Sequence, residues 1–244
     1  MKKEIKILYR EFYRIRNMGL IKSLRGGSTG IGYTFETLLS KKEDQSFKPD
    51  YLGIEIKTHL GYSKSPITLF NLTPENIDKK TTKDLLKEYG YRKNADFIFR
   101  KEIRYSFNEL NPIKYYFKLY VSKEMKKIIL QVYNRYLYLI DDSYYWEFRK
   151  LQERLKTKLS YLAIVTGYDY VYSGVTYYKY TSMNVFSLKQ FESFLDLVEK
   201  NKIFIIFNLK AMNSEEYGEY VKDHGTAFRI ELSSIGDLFE KVIL

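Results

Sequence analysis

The sequence predicts a mixed α/β fold, with a central mixed sheet flanked by helices. Three observations lead there. Apolar residues recur at helical spacing over residues 3–24, 146–159 and 188–199. Runs rich in β-branched and aromatic residues, bounded by turn residues, lie at 97–140, 161–166 and 202–209. No Pro/Gly/Ser linker, internal repeat or low-complexity tract divides the 244 residues. A single domain of two lobes is therefore expected, one over about 1–165 and the other over about 166–244.

Taken in order, Ile5, Leu8, Phe12, Ile15 and Leu20 repeat with Lys and Arg between them, which predicts an amphipathic helix capping the core. Residues 25–33 read Arg-Gly-Gly-Ser-Thr-Gly-Ile-Gly-Tyr, where glycine lets backbone N–H groups approach a phosphate closely. No Gly-Lys-Ser/Thr follows and no clear strand precedes, so neither a mononucleotide nor a dinucleotide fingerprint is present. A short helix then opens at Tyr33 or Thr34, with Phe35, Leu38 and Leu39 on its apolar face and Glu36 on another. Leu52–Ile56 reads as a short strand, and Ile67–Asn71 as a buried strand beside it. Residues 72–95 form a polar excursion with a short helix around Leu85 and Leu86.

The 97–140 region reads as successive strands with breaks at Pro112 and Asn134-Arg135. A helix from Trp146 to Leu159 sets Phe148, Leu151, Leu155 and Leu159 on one stripe, with Lys and Arg opposite. Tyr161–Thr166 is a core strand, and Val171–Phe186 an aromatic hairpin turning near Ser173-Gly174. A second amphipathic helix carries Phe191, Phe194, Leu195 and Val198, and 202–209 reads as a fully buried strand. Residues 211–222 read as a polar loop leading into Asp223-His224-Gly225.

Lys and Arg number 41 against 30 acidic residues, a formal net charge of +11. A basic excess of that size favours a polyanionic partner, nucleic acid above all. The 25 Tyr and 16 Phe are assigned to packing before base stacking, because sheets favour aromatics anyway. The absence of Cys excludes disulfides, thiolate zinc sites and thiol catalysis. It agrees with a reducing cytoplasm, which is the expected compartment. No apolar span of membrane length occurs, so no membrane partner is expected.

The chemistry is concentrated in Pro49-Asp-Tyr-Leu-Gly-Ile-Glu-Ile-Lys-Thr58. Side chains alternate along a strand, so Ile54 and Ile56 share one face while Glu55 and Lys57 project from the other. A turn after Pro49 brings the Asp50 carboxylate beside Glu55. Two carboxylates at one point make a hard oxygen site for Mg²⁺, and a lysine two residues on can hold or deprotonate a water aimed at phosphorus. These are the minimal parts for metal-dependent phosphodiester hydrolysis. The same residue types also make an ordinary solvated strand face, and the spacing alone leaves both open.

Gly27-Ser-Thr-Gly-Ile-Gly-Tyr-Thr-Phe-Glu36-Thr-Leu-Leu, then Pro49-Asp50, Gly-Ile-Glu55-Ile-Lys57-Thr and finally Asp223-His-Gly-Thr-Ala-Phe-Arg229-Ile together resemble the MutH-like branch of the PD-(D/E)xK nucleases, and within it the MvaI/BcnI restriction endonuclease family. The resemblance runs nearly end to end. It implies a restriction-endonuclease-like fold whose two lobes form a basic DNA cleft, an N-terminal catalytic lobe and a C-terminal recognition lobe. It implies a type II restriction endonuclease that hydrolyses double-stranded DNA with Mg²⁺, for which Mn²⁺ substitutes, and leaves 5′-phosphates. On the resemblance, Asp50 and Glu55 hold the metal with the backbone carbonyl of Ile56, Lys57 is the catalytic lysine and Glu36 an auxiliary carboxylate. DNA contacts fall to Asp223, His224, Thr226 and Arg229, with Lys210 and His59 as further candidates. Arg pairs bidentately with guanine and Asp accepts from cytosine N4. A short, nearly palindromic site such as CCWGG, a monomer cutting the two strands in turn, and a cognate DNA methyltransferase in the host complete the expectation. A MutH-like mismatch-repair nickase and a non-catalytic DNA-binding protein of the same fold stay open as alternatives. The intact Glu36, Asp50, Glu55 and Lys57 speak against the second.

Overall fold

Helices and strands follow the apolar spacing of the chain. The computed structural model describes residues 1–39, 48–107, 114–214, 218–223 and 225–243. In chain order the elements begin with α1 (Lys2–Arg16), β1 (Ile21–Lys22), α2 (Gly30–Leu38), β2 (Glu55–Leu60), β3 (Ile67–Asn71) and β4 (Glu75–Asn76). Next come α3 (Thr82–Tyr89), β5 (Tyr91–Lys93), β6 (Asp96–Ile103), β7 (Tyr116–Ser122), β8 (Lys127–Tyr133) and β9 (Leu139–Glu147). The chain continues with α4 (Phe148–Leu159), β10 (Tyr161–Tyr172), β11 (Val175–Leu188), α5 (Phe191–Glu199) and β12 (Ile203–Ser214). It closes with β13 (Gly218–Asp223), β14 (Ala227–Ile230), α6 (Ile235–Leu238) and β15 (Phe239–Lys241). The mixed α/β class expected from the sequence is the class observed. Among the described residues, no helix is long and apolar enough to cross a membrane.

Two compact units emerge, and they interleave along the chain where the sequence suggested one division near 165. The first comprises Met1–Ser65, Arg154–Lys189 and Gly236–Leu244; the second comprises Pro66–Glu153 and Gln190–Ile235. The cause is the pairing of β2 with β10, which is parallel. Parallel neighbours need a long crossover, and here the crossover contains the whole first segment of the second unit.

In the first unit the sheet runs β1-β11-β10-β2, with β15 added on β11. β10 and β11 form a long hairpin from Tyr161↔Ser187 to Tyr172↔Val175. Its tight turn is Ser173-Gly174, both at positive φ, the backbone that matches the twist of paired strands. The face of β2 bearing Ile54 and Ile56 packs under Ile5, Leu8, Phe12 and Ile15 of α1 and Ile31 and Phe35 of α2. Burying each of these side chains fully contributes roughly 1.5–3 kcal/mol. α1 stops at Arg16, short of the expected 24: Gly19 turns the chain at φ +76, and Ile21-Lys22 joins the sheet opposite Tyr178 and Tyr177.

α2 begins at Gly30, several residues before the expected Tyr33 or Thr34. A Cβ on Gly30 would lie 2.4 Å from the Arg25 carbonyl oxygen and 2.5 Å from the Tyr178 hydroxyl. One on Gly32 would lie 3.0 Å from Thr58 Oγ1 of β2. These two glycines therefore let a helix lie close on its sheet, while Gly26 and Gly27 stay in the preceding loop.

The second unit has one sheet ordered β3-β14-β12-β6-β5, with β13 on β12, and another ordered β4-β9-β8-β7. Its core is aromatic: Trp146 meets Phe207 and Phe228, and Phe228 meets Phe70 and Phe194. Trp146 lies near the end of β9, where the sequence had it open a helix, and its indole N–H donates to the Leu72 carbonyl at 2.9 Å. β3 pairs with β14, not with the strand carrying Glu55. Among the described residues, the stretch read as a polar loop at 211–222 is instead strand, with Ala211 opposite Val221 and Tyr220 opposite Met212.

Candidate active site

The first unit brings Asp50, Glu55 and Lys57 together. Asp50 precedes β2, and its Oδ2 accepts the backbone N–H of Ile56 at 2.9 Å. Tyr51 and Ile54 exchange backbone hydrogen bonds across the turn that this creates, with Leu52 and Gly53 both at positive φ. The Asp50 carboxylate is thus clamped to the start of the strand that carries the other two side chains. β2 then alternates: Ile54 and Ile56 face the core, and Glu55 and Lys57 face away from it, as expected.

At Glu55 that opposite side is not solvated. The Glu55 side chain is only 1% exposed. Its Oε1 accepts from Lys57 Nζ at 2.6 Å, and Lys158 Nζ of α4 lies 3.4 Å from the same oxygen. Its Oε2 is buried with no hydrogen-bond partner among the described residues. Burial raises the Glu55 pKa and the nearby Asp50 charge raises it further, while Lys57 and Lys158 pull the other way; the net direction is up. A purely structural ion pair satisfies both oxygens of a buried carboxylate. A carboxylate held by cations on one oxygen and left bare on the other is a donor waiting for an acceptor of lone pairs.

The chemistry of this donor set fits a magnesium-class cation. Among the described residues no three His, Cys, Asp or Glu side chains converge on a metal-sized point. The protein side therefore offers Asp50 and Glu55 alone, plus backbone. Mg²⁺ is commonly held in this way, by one or two carboxylates with waters and substrate phosphates making up the rest. Glu36 belongs to another element, α2. It sits half-buried on α2, where Gly32 passes close to its Oε1, and its charge is one of the influences that raise the pKa of the buried Tyr180 hydroxyl, after burial and Tyr178. Tyr180 donates to the Ile31 carbonyl at 2.8 Å, tying β11 to the same helix.

The family model for MvaI/BcnI restriction endonucleases matches residues 9–239. The chain belongs to the MvaI/BcnI restriction endonuclease family. Among solved structures it is similar to restriction endonuclease MvaI in complex with its cognate DNA substrate, at 32% identity and TM-score 0.90, covering 99% of this chain and 98% of that one. It is also similar to MvaI in the absence of DNA, at 31% identity, TM-score 0.66 and the same coverage. None of the curated protein sequences matches it.

For a member of this family, the remaining candidates divide clearly. His59 is used within the sheet: its Nδ1 faces the Leu60 carbonyl at 2.9 Å and its Nε2 the Thr166 hydroxyl at 3.2 Å. With a carbonyl fixed as acceptor, Nδ1 carries a proton. Lys210 pairs with Asp96 at 2.8 Å. Asp223 turns the end of β13, Oδ1 accepting the Gly225 N–H at 2.8 Å and Oδ2 the Thr226 hydroxyl at 2.9 Å. Thr226 is buried, so its side chain faces inward and braces that turn. Arg229 is half-buried on β14 between Phe204 and Thr68, and its Nε has no partner among the described residues. His224 lies outside the described residues.

Lys158 was missed by the sequence reading. It falls three residues after Leu155 and just before Leu159, so it sits at the edge of the apolar stripe of α4, where a lysine has apolar neighbours on both sides. That position was the available signal.

Proposed function

We propose that this restriction endonuclease is a type II enzyme that hydrolyses double-stranded DNA phosphodiesters with Mg²⁺, or Mn²⁺ in its place, leaving 5′-phosphates. The observation that carries the reading is the buried Glu55 with its unpartnered Oε2, beside Asp50 and Lys57. Asp50, Glu55 and the Ile56 carbonyl would hold the ion. When bound, the ion supplies Lewis-acid polarisation of the phosphate and a more acidic water.

The chain's own part is positional and electrostatic. The Ile56 N–H fixes the Asp50 carboxylate, and the Lys57 ammonium holds the attacking water or stabilises charge that develops on the phosphorus oxygens. Glu36 acts as an auxiliary carboxylate on α2. The loop residues 23–28 line a concavity of about 600 Å³ with Asp169 and Tyr178. Its Gly26 and Gly27 allow the close backbone approach that a phosphate needs. The first unit is the catalytic one, because it holds all four active-site residues, and the second, carrying Lys210, Asp223 and Arg229, reads bases. Arg229 is the foremost candidate there, since Arg pairs bidentately with guanine and the side chain is half-buried rather than fully buried. A short site of the CCWGG type, a monomer that cuts the strands in turn, and a methyltransferase protecting host DNA belong to the same reading.

The test is incubation with unmethylated phage DNA in Mg²⁺ or EDTA, followed by sequencing of the fragment ends. Discrete, Mg²⁺-dependent fragments are expected, with Asp50→Ala slower by about 10²–10³-fold or more and still bound to DNA. Nicks alone would move the reading to a strand-nicking repair enzyme. Uncut DNA, or an Asp50→Ala protein that cuts as fast as the parent, would refute it.

A further inference from the structure

We propose that Lys158 is a positioning residue whose ammonium keeps the buried Glu55 compensated while Lys57 moves to the reacting water; this rests on the nuclease reading above. Lys57 is required in two places. In the structure it is spent on Glu55 Oε1 at 2.6 Å. In the reaction it has to reach a water or a phosphate oxygen. If it were the only cation at Oε1, each departure would leave that oxygen of a carboxylate 1% exposed without a partner, whatever is bound at Oε2, and a protein interior resists an unpaired buried oxygen.

Lys158 resolves the conflict by geometry. Its Nζ stands 3.4 Å from the same Oε1, close enough for attraction and loose enough to tighten when Lys57 leaves. It comes from α4, whose Leu155 and Leu159 are fully buried. The helix therefore fixes the origin of the side chain, while its four methylenes let the head move. With both lysines on Oε1, Oε2 stays clear of protein partners. Lys158 thus sets which oxygen of Glu55 is left for the cation without competing for it.

The experiment compares Lys158→Met, Lys158→Arg, Lys57→Ala and Asp50→Ala in the full chain. It measures single-turnover cleavage, DNA affinity in EDTA, Mn²⁺ affinity by calorimetry and thermal midpoint. For Lys158→Met the expected result is a rate ten- to a hundredfold lower, the usual size for removing a residue that orients a ligand. DNA affinity and Mn²⁺ affinity should stay within about threefold of the parent, and Lys158→Arg, which keeps the charge, should recover most of the rate. A Lys158→Met protein that cuts within twofold of the parent, while Asp50→Ala and Lys57→Ala are inactive, overturns the inference and leaves the active-site reading intact. Loss of rate together with Mn²⁺ affinity or midpoint, without rescue by Arg, also overturns it. Full cutting by Asp50→Ala instead removes the reading on which it rests.

Discussion

Replacing Gly30 by Ala tests how the active-site helix is seated. Alanine ordinarily gains up to about 1 kcal/mol over glycine within a helix. Here a Cβ would stand 2.4 Å from the Arg25 carbonyl oxygen, and that oxygen is held in place by the Ser23 hydroxyl at 2.6 Å. The second obstacle, the Tyr178 hydroxyl at 2.5 Å, belongs to a buried ring. Neither is a loose chain end. Reaching an ordinary contact of 3.4 Å from 2.4 Å requires α2 and the 23–25 segment to part by about 1 Å. Overpacking of this kind costs about 1–3 kcal/mol. The clash outweighs propensity, and a net loss of roughly 1–2 kcal/mol is expected, or about 2–8 °C in thermal midpoint for a chain of this size. Calorimetry or circular dichroism is the assay, because the single tryptophan lies in the other unit. Gly236→Ala is the internal control: nothing lies within 4 Å of its Cβ, so it should be neutral or slightly stabilising. A Gly30→Ala protein as stable as Gly236→Ala would refute the close-seating argument. Because α2 carries Glu36, Gly30→Ala should also slow cleavage.

Three further outcomes follow from the charges and the core. Glu55 has a raised pKa in the fold, so the folded state holds its proton to higher pH than the unfolded chain does. In EDTA, stability should fall as pH rises from the ordinary carboxylate value of 4.5 through the folded value, then level off. Glu55→Gln should abolish that slope, and an unchanged slope in urea titrations would contradict it. Glu231 has a lowered pKa, chiefly through Lys202 and then Arg104, so its stabilisation is present above 4.5 and lost as pH falls through the folded value. Glu231→Gln should cost about 0.5–1 kcal/mol at neutral pH and nothing in acid, as read from denaturation midpoints at both pH values. Leu155→Ala, at a position 1% exposed, should cost roughly 2–5 kcal/mol in chemical denaturation; a loss below 1 kcal/mol would show that α4 is less firmly packed than its burial indicates.

Much of the active site was legible because its parts are local. Asp50, Glu55 and Lys57 lie in one turn and one strand, where the alternation of side chains decides who faces whom. Glycine misled the reading of α2: Gly30 and Gly32 look like loop residues by propensity, yet tertiary packing needs them inside the helix. Beyond its place at the edge of the apolar stripe, nothing singled out Lys158, because its significance arises from a contact with Glu55 far away in sequence. The strand neighbours of β2 and β3 were equally hidden. Both sequences read as neighbouring strands, and only long-range pairing separates them into different sheets. Asp223 and Thr226 show what a sequence hides about a turn: residues with base-reading chemistry hydrogen-bond to each other there.

The interleaving of the two units has a consequence for how the enzyme comes into being. Synthesis delivers Asp50, Glu55 and Lys57 early, but β2 then has no partner strand, because β10 emerges only after α4. Lys158 arrives on that same helix, and the edge strand β15 later still. A nascent chain on the ribosome therefore carries these three proposed active-site residues long before it has a sheet to hold them. On the proposed active site, the order of strands would hold back activity until β10 is made, since β2 pairs with that strand.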